Sequence, residues 1–190
     1  MKVKDIIEIT LVLVGKNSLL DTSMFNPQIT EPLTNEQEKE LGYLEKCFNL
    51  VYKEVSADYL PLMYEETITF KNGEFALNQL DNSILDIYKL YDNSYGDISY
   101  RLFPNYIKAD ATVANIIYSF LPENLELDDE VIFFGGKLLP QVLAYGIARE
   151  YCLINGELTE ADIWEKRFKD GIQTEMRKKS QIQIKPRRWY

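Results

Sequence analysis

The spacing of apolar residues changes twice along this chain, and this change limits the folds that it can adopt. From residue 35 to 58 apolar residues recur at helical spacing, which predicts an amphipathic helix. From 62 to 118 they alternate with polar residues in short runs, which indicates β-strands. After Pro122 the helical spacing returns. Folds built only of helices or only of strands are therefore excluded.

Local start and stop signals place four helices within this pattern. Thr34 followed by Gln37 is a capping box, in which each side chain bonds a backbone amide at the start of a helix. Gly15 and Gly156 are the expected ends of the first and third helices, because glycine readily adopts the left-handed conformation that ends a helix. Thr159 is expected to cap the fourth helix. The predicted helices cover residues 2–14, 35–58 and 138–155 and continue from Thr159 to about Ser180.

The middle of the chain contains five or six strand candidates. The Asn72-Gly73 pair favours a tight turn and is expected to join strands at 67–70 and 75–77 into a hairpin. Residues 16–33 show no period and are expected to form a loop. The remaining strands are expected at 84–91, 98–103, 106–108 and 112–120.

These elements predict an α+β fold: a four-helix bundle with a small antiparallel β-sheet or sandwich inserted between helices two and three. Each helix pair is amphipathic and too small to be stable alone, so one shared bundle is the simplest arrangement. The expected division is a helical bundle of residues 1–60 and 136–180, an inserted β domain of 61–121, and an extended C-terminal arm of 181–190.

The chain has 190 residues and contains no histidine. Catalytic systems that depend on imidazole, and zinc sites ligated by histidine, are thereby excluded. Cys47 and Cys152 are far apart in the sequence and are expected to be buried free thiols. We predict that the chain is not an enzyme and that it has no catalytic, cofactor or metal site. A hydrolase with a carboxylate pair is the enzymatic alternative.

Two motifs that could bind phosphate or metal fail on spacing. Gly15-Lys16 and Gly136-Lys137 lack the earlier glycine and the following Ser or Thr of a phosphate-binding loop. An acidic segment at residues 123–130 lacks the spacing of a calcium loop. A solvated loop is the simpler prediction for this segment, and pairing with the basic end of a neighbouring copy is the alternative. Its acidic residues are Glu123, Glu126, Asp128, Asp129 and Glu130.

Charge is distributed very unevenly along the chain. Residues 1–165 carry 12 basic and 28 acidic side chains, whereas residues 166–190 carry 9 basic and 2 acidic ones, so the net charges are -16 and +7. Such a basic end contacts an acidic protein surface, contacts nucleic acid or remains solvated. We predict docking on protein, and the alternative is a nucleic-acid-binding regulatory protein. The candidate docking residues are Arg177, Lys178, Lys179, Lys185, Arg187, Arg188 and Trp189.

The N-terminal apolar run does not have the properties of a membrane span. It covers residues 6–14, is interrupted by Glu8, and is much shorter than the roughly 20 residues that a bilayer requires. It also lacks the pattern of a secretion signal. We therefore expect a soluble intracellular protein with no membrane contact.

The C-terminal third resembles a known family. The run VLAYGIAREYCLINGELTEADIWEKRF, from Val142 to Phe168, is followed by a basic stretch and by PRRW at 186–189. Together with KVKDIIEIT near the N-terminus, the CFNLVYKEVSADYLPL segment and the EVIFFGGK turn, it resembles the head-tail connector (adaptor) proteins of tailed bacteriophages. These are packing motifs, and they transfer no active site.

The resemblance implies a structural protein of the virion, made in the host cytoplasm and located at the neck between head and tail. It implies a homo-oligomeric ring of about twelve copies beneath the portal protein, with a tail protein below it and DNA passing through the lumen without specific binding. It also implies that the C-terminal segment reaches toward the portal. An acidic body with a basic arm would supply complementary charge for contacts between neighbouring copies.

Overall fold

A computed structural model describes residues 1–132 and 138–177 of this chain. The chain forms two compact units. One contains Met1–Val51 together with the described residues from Leu125 onward, and the other is Tyr52–Asn124. The described residues of the first are mainly helical, whereas the second is mainly β-structure. The fold is therefore α+β.

The helices are α1 (Val3–Leu13), α2 (Asn17–Leu20), α3 (Asn35–Glu54), α4 (Pro140–Ile154) and α5 (Leu158–Arg177). The predicted four-helix bundle with a sheet between helices two and three is wrong. The described residues contain five α-helices, and the β-structure follows the third of them. The additional helix, α2, is a single turn within the segment predicted to be a loop. Its four residues bury only Leu19, which is too little to produce a periodic pattern.

Both hydrogen bonds of the predicted capping box are present at the start of α3. The Thr34 amide donates to Gln37 Oε1 at 2.9 Å, and the Gln37 amide donates to Thr34 Oγ1 at 3.3 Å. The apolar stripe of this helix is fully buried. A π-helical turn at Val55–Tyr59 continues the chain beyond α3. The buried stripe consists of Leu41, Leu44, Phe48 and Val51, followed by Val55 in the π-helical turn.

The two C-terminal helices pack against each other, and α4 also packs against α1. Pro140 is the first residue of α4, and Gly156, with a φ of +76°, follows its C-terminal end as predicted. The predicted cap at Thr159 is wrong, because α5 already begins at Leu158. The Ala161 amide donates to the Glu157 carbonyl at 3.0 Å, so the first helical bond precedes Thr159.

The β unit contains two antiparallel three-stranded sheets. The first has the strand order β1-β6-β3 and the second has the order β2-β5-β4. The strands are β1 (Leu62–Thr69), β2 (Glu74–Ala76), β3 (Ile84–Tyr91), β4 (Tyr100–Leu102), β5 (Tyr106–Ala109) and β6 (Val113–Phe120). Both sheets contribute to one apolar core, which includes Ile68, Phe70, Phe75, Ile87, Ile107, Ile116 and Tyr118.

The predicted hairpin is correct in its turn and wrong in its pairing. Asn72 and Gly73 have φ values of 55° and 78°, and the flanking residues Lys71 and Glu74 exchange backbone hydrogen bonds of 2.9 and 3.0 Å. The strands on either side of this turn, β1 and β2, nevertheless belong to different sheets. Pairing with β6 engages all eight residues of β1, whereas β2 has only three residues to offer.

Candidate functional site

Most of the predicted docking residues cannot be placed by the structure. Arg177 is the last residue of α5. The other six, from Lys178 to Trp189, lie outside the described residues, as does the predicted arm at 181–190. Their role in docking therefore stays a prediction.

The acidic segment is attached to the start of α1. The ammonium groups of Lys2 and Lys4 lie 3.1 and 2.9 Å from an Asp128 carboxylate oxygen. The Val3 amide donates to the Asp129 carbonyl at 3.0 Å. The hydrogen bonds from Lys4 and Lys2 hold the pKa of Asp128 below its usual value. In the part of the chain that the structure describes, no cluster of three or more ligating side chains could hold a metal ion. The segment is a loop whose five acidic residues are all exposed, as predicted, and Asp128 and Asp129 in addition contact the start of α1.

Lys16, from the first Gly-Lys pair, belongs to an ionic cluster with α3 and α4. Its ammonium group lies 3.0 Å from Glu40 and 5.8 Å from the ring centre of Tyr151. The Tyr151 hydroxyl donates to the same carboxylate. This hydrogen bond and the lysine lower the pKa of Glu40, and the carboxylate raises the pKa of Lys16. The second pair, Gly136-Lys137, lies outside the described residues.

Arg149 is a buried cation that connects α4 to α5. Its guanidinium lies 2.8 Å from Glu165 and 2.6 Å from Glu150, and it also stacks over the Phe168 ring at 5.1 Å. Sequence analysis did not single out this residue, because it stands within an apolar run. Its partner Glu165 is 16 positions away and becomes a neighbour only when the two helices pack.

Both cysteines are buried free thiols, as predicted. Burial raises the pKa of Cys47 to about 12 and that of Cys152 to about 11. At neutral pH both groups are therefore protonated thiols and poor nucleophiles. They act as small apolar side chains within α3 and α4.

The connection between α4 and α5 exposes large apolar side chains. Leu153 and Ile154 at the end of α4, and Leu158 at the start of α5, are 45%, 53% and 64% exposed. A tight turn presents them, since the Glu157 amide donates to the Cys152 carbonyl at 2.9 Å. We call these three residues the apolar tip. Exposed large apolar side chains of this kind are candidates for a contact with another protein.

The β unit also exposes a large side chain in an organised loop. Tyr95 is 77% exposed and has a φ of 63°, which is unusual for a residue other than glycine. The loop is held by Asp92 Oδ1, which accepts from the amides of Ser94 and Gly96 at 2.8 Å. The Tyr95 ring stacks on Tyr91 with 5.5 Å between ring centres. We call Tyr91 and Tyr95 the tyrosine stack.

The inner tyrosine of this stack is fixed by a carboxylate on β1. The Tyr91 hydroxyl donates to Glu65, and this hydrogen bond raises the pKa of Tyr91 to about 12. The ammonium group of Lys89 lies 5.2 Å from the centre of the same ring. Tyr95 therefore stacks on a ring that is itself hydrogen-bonded, and ordering of this kind before binding lowers the entropy cost of a contact.

Comparison with known proteins adds no functional assignment. No family model matches the chain, and no curated protein matches it. None of the described helices combines the length and the apolar character needed to cross a bilayer. Function is therefore inferred from the surfaces of the two units and from the resemblance of the sequence.

Proposed function

We propose that this chain is a structural virion protein, a head-tail connector that forms a ring between the portal protein and the tail of a bacteriophage. The ring would contain about twelve copies and would let DNA pass through its lumen. The observation that supports this proposal is the exposure of two unlike groups of side chains, the apolar tip in the helical unit and the tyrosine stack in the β unit.

Two unlike surfaces favour a head-to-tail contact. When one copy offers one surface and its neighbour the other, the contact is heterologous, and it closes into a ring when the rotation between copies divides a full turn evenly. A twofold dimer needs only one self-complementary surface. The apolar tip and the tyrosine stack differ in chemistry, since the first is aliphatic and the exposed member of the second, Tyr95, is aromatic with a polar hydroxyl.

The charge distribution supports the same role. Residues 1–165 carry a net charge of -16, and a lumen lined by such a body would repel the phosphates of passing DNA. The basic residues from Arg177 to Trp189 would dock on the acidic surface of the portal or of a neighbouring connector. Contacts of this kind weaken as salt rises.

Self-association of the purified chain tests this proposal. We expect Leu158→Lys to reduce the mass of the assembled species measured by light scattering, because it places a charge within the apolar tip. Val12→Lys is the matched control, since Val12 is 58% exposed on α1, outside the tip. If both variants form species of the same mass as the unmodified chain does, a role for the tip is contradicted.

Binding to duplex DNA separates the connector from the alternative, a nucleic-acid-binding regulatory protein. The alternative requires micromolar or tighter affinity at moderate salt, measured by fluorescence anisotropy. The connector predicts weak binding that follows only the charge of the basic segment. Tight binding to DNA without assembly would favour the alternative.

A further inference from the structure

The first sheet of the β unit has an open edge along β1. The strand order is β1-β6-β3, so β1 has β6 on one side, and no strand of the described residues pairs with its other side. The pairing with β6 runs without a break from Leu62 to Thr69. β1 contains no proline and no bulge, two of the features that protect an edge strand, and its only charged side chains are Glu65 and Glu66.

The direction of the backbone groups along β1 follows from one hydrogen bond. The Phe70 amide donates to the Thr112 carbonyl at 2.9 Å, in continuation of the β1–β6 ladder. Even-numbered residues therefore bond toward β6, and odd-numbered residues direct their amides and carbonyls away from it. The outward residues are Met63, Glu65, Thr67 and Thr69, and all four are exposed.

The same strand carries two glutamates whose hydrogen-bond donors among the described residues are neutral. Glu65 accepts from the Tyr91 hydroxyl, and Glu66 accepts from the Tyr118 hydroxyl at 2.6 Å and the Asp81 amide at 3.2 Å. These donors are all neutral. Among the described residues, no lysine or arginine forms an ion pair with either carboxylate. A basic strand would therefore meet complementary charge at this edge.

The C-terminal segment of the chain has the composition of such a strand. Residues 178–190 contain five basic side chains and no acidic one. Within them, Ser-Gln-Ile-Gln-Ile-Lys at 180–185 alternates polar and apolar residues, and Pro186 then prevents further pairing. Ile182 and Ile184 would share one face of a strand.

We propose that residues 180–185 of a second copy add to the open edge of β1 as a fourth strand of this sheet. This inference rests on the proposed ring, in which each copy would give its C-terminal segment to the next. The 13 residues after Arg177 reach on the order of 40 Å when extended, which is enough to cross to a neighbour. Backbone hydrogen bonds supply affinity in strand addition, and the glutamates and basic residues supply selectivity.

A proline at Thr67 tests this contact with little effect on the fold. Thr67 directs its amide to the open edge, so Thr67→Pro removes a donor for the added strand and leaves the β1–β6 ladder intact. Thr67→Ala is the matched control, because both variants lose the 2.7 Å hydrogen bond from the Thr67 hydroxyl to Asn115. We expect Thr67→Pro to weaken self-association at least about tenfold relative to Thr67→Ala.

A mixing experiment identifies which copy supplies the strand. A chain ending at Met176 keeps the open edge of β1 and lacks residues 180–185. Full-length Thr67→Pro keeps residues 180–185, and its β1 edge lacks the Thr67 donor. At concentrations where each variant alone is monomeric, their mixture should give a one-to-one complex by light scattering. Hydrogen exchange of the unmodified assembly should show slow amides at residues 63, 65, 67 and 69.

The outcomes distinguish this inference from the proposed ring. Rings that form equally with Thr67→Pro and leave the edge amides unprotected would overturn the strand addition and leave the ring standing. A full-length monomer with protected edge amides would show that a chain binds its own segment, which also overturns the inference. A monomer with unprotected amides, alone and with the portal protein, would overturn both.

Discussion

At the scale of single residues, Gly146 on α4 allows that helix to pack closely against α3 and α5. A Cβ atom at this position would lie 2.5 Å from Val51 Cγ1 and 3.1 Å from the ring of Phe168. The backbone of α4 can therefore approach α3 and α5 only because this residue has no side chain. Gly42, within α3, has no atom within 4 Å of the corresponding position, so it offers a contrasting case.

These two glycines give a matched pair of alanine substitutions. Gly146→Ala should lower the free energy of unfolding by roughly 1–3 kcal/mol, because the added methyl group overlaps Val51. Gly42→Ala should raise it by up to about 1 kcal/mol, since alanine favours the helix and meets open space. Urea unfolding measures both values, and equal effects of the two substitutions would contradict the packing described.

The Glu40 cluster makes stability depend on pH. The hydrogen bond from Tyr151 holds the pKa of Glu40 below its ordinary value of 4.5. The stabilisation by this carboxylate is complete above about pH 4.5 and is lost as the pH falls through the lower pKa of the folded protein. The difference in free energy of unfolding between the unmodified chain and Glu40→Gln should therefore shrink in acid.

Tyr151→Phe provides a second variant for this pH dependence. It removes the hydroxyl that donates to Glu40 and should reduce the acid dependence without removing the carboxylate. Urea unfolding between about pH 7 and pH 3 measures these curves. Curves that stay parallel for the unmodified chain and Glu40→Gln would show that Glu40 has no stabilising role.

Residues whose role is local were predictable, and those whose role depends on packing were not. The conformations of Gly15, Gly73 and Gly156 follow from short patterns around each residue. The ion pairs of Arg149 join two helices, and the exposure of Tyr95 depends on a left-handed conformation held by Asp92. Neither has a signal in residue spacing.

At the scale of elements, α3 begins where its capping box predicts. Thr34→Ala removes the hydroxyl that accepts from the Gln37 amide, and it should cost about 1 kcal/mol of unfolding free energy. Thr30→Ala is the control, because Thr30 is exposed and precedes the helix, and its effect should stay within about 0.5 kcal/mol. Equal losses in the two variants would contradict the role of the box.

The sheets show what local patterns cannot determine. The period of two located most strands, and the Asn72-Gly73 pair located a turn. Strand pairing depends on residues that are distant in sequence, so β1 pairs with β6 about 50 positions later and not with β2 beyond the turn. The start of α5 was also misplaced, because Glu157, and not Thr159, directly precedes the helix and accepts its first backbone hydrogen bond.

At the scale of the whole molecule, the uneven charge predicts an association that depends on salt. A chain ending at Met176 should assemble poorly, because it lacks all seven candidate docking residues. Replacing Lys185, Arg187 and Arg188 with glutamine tests the charge alone, and it should reduce assembly less than truncation does. Raising the salt from about 0.05 to 0.5 M should weaken assembly of the unmodified chain and affect the glutamine variant less.

Electron microscopy of the purified chain mixed with the portal protein encoded in the same genome tests the proposed connector most directly. The connector predicts a closed ring, coaxial with the portal and bound to one of its faces. The chain ending at Met176 should fail to form this complex. Portal particles that carry no added density, at concentrations where the chain is folded, would contradict the proposed function.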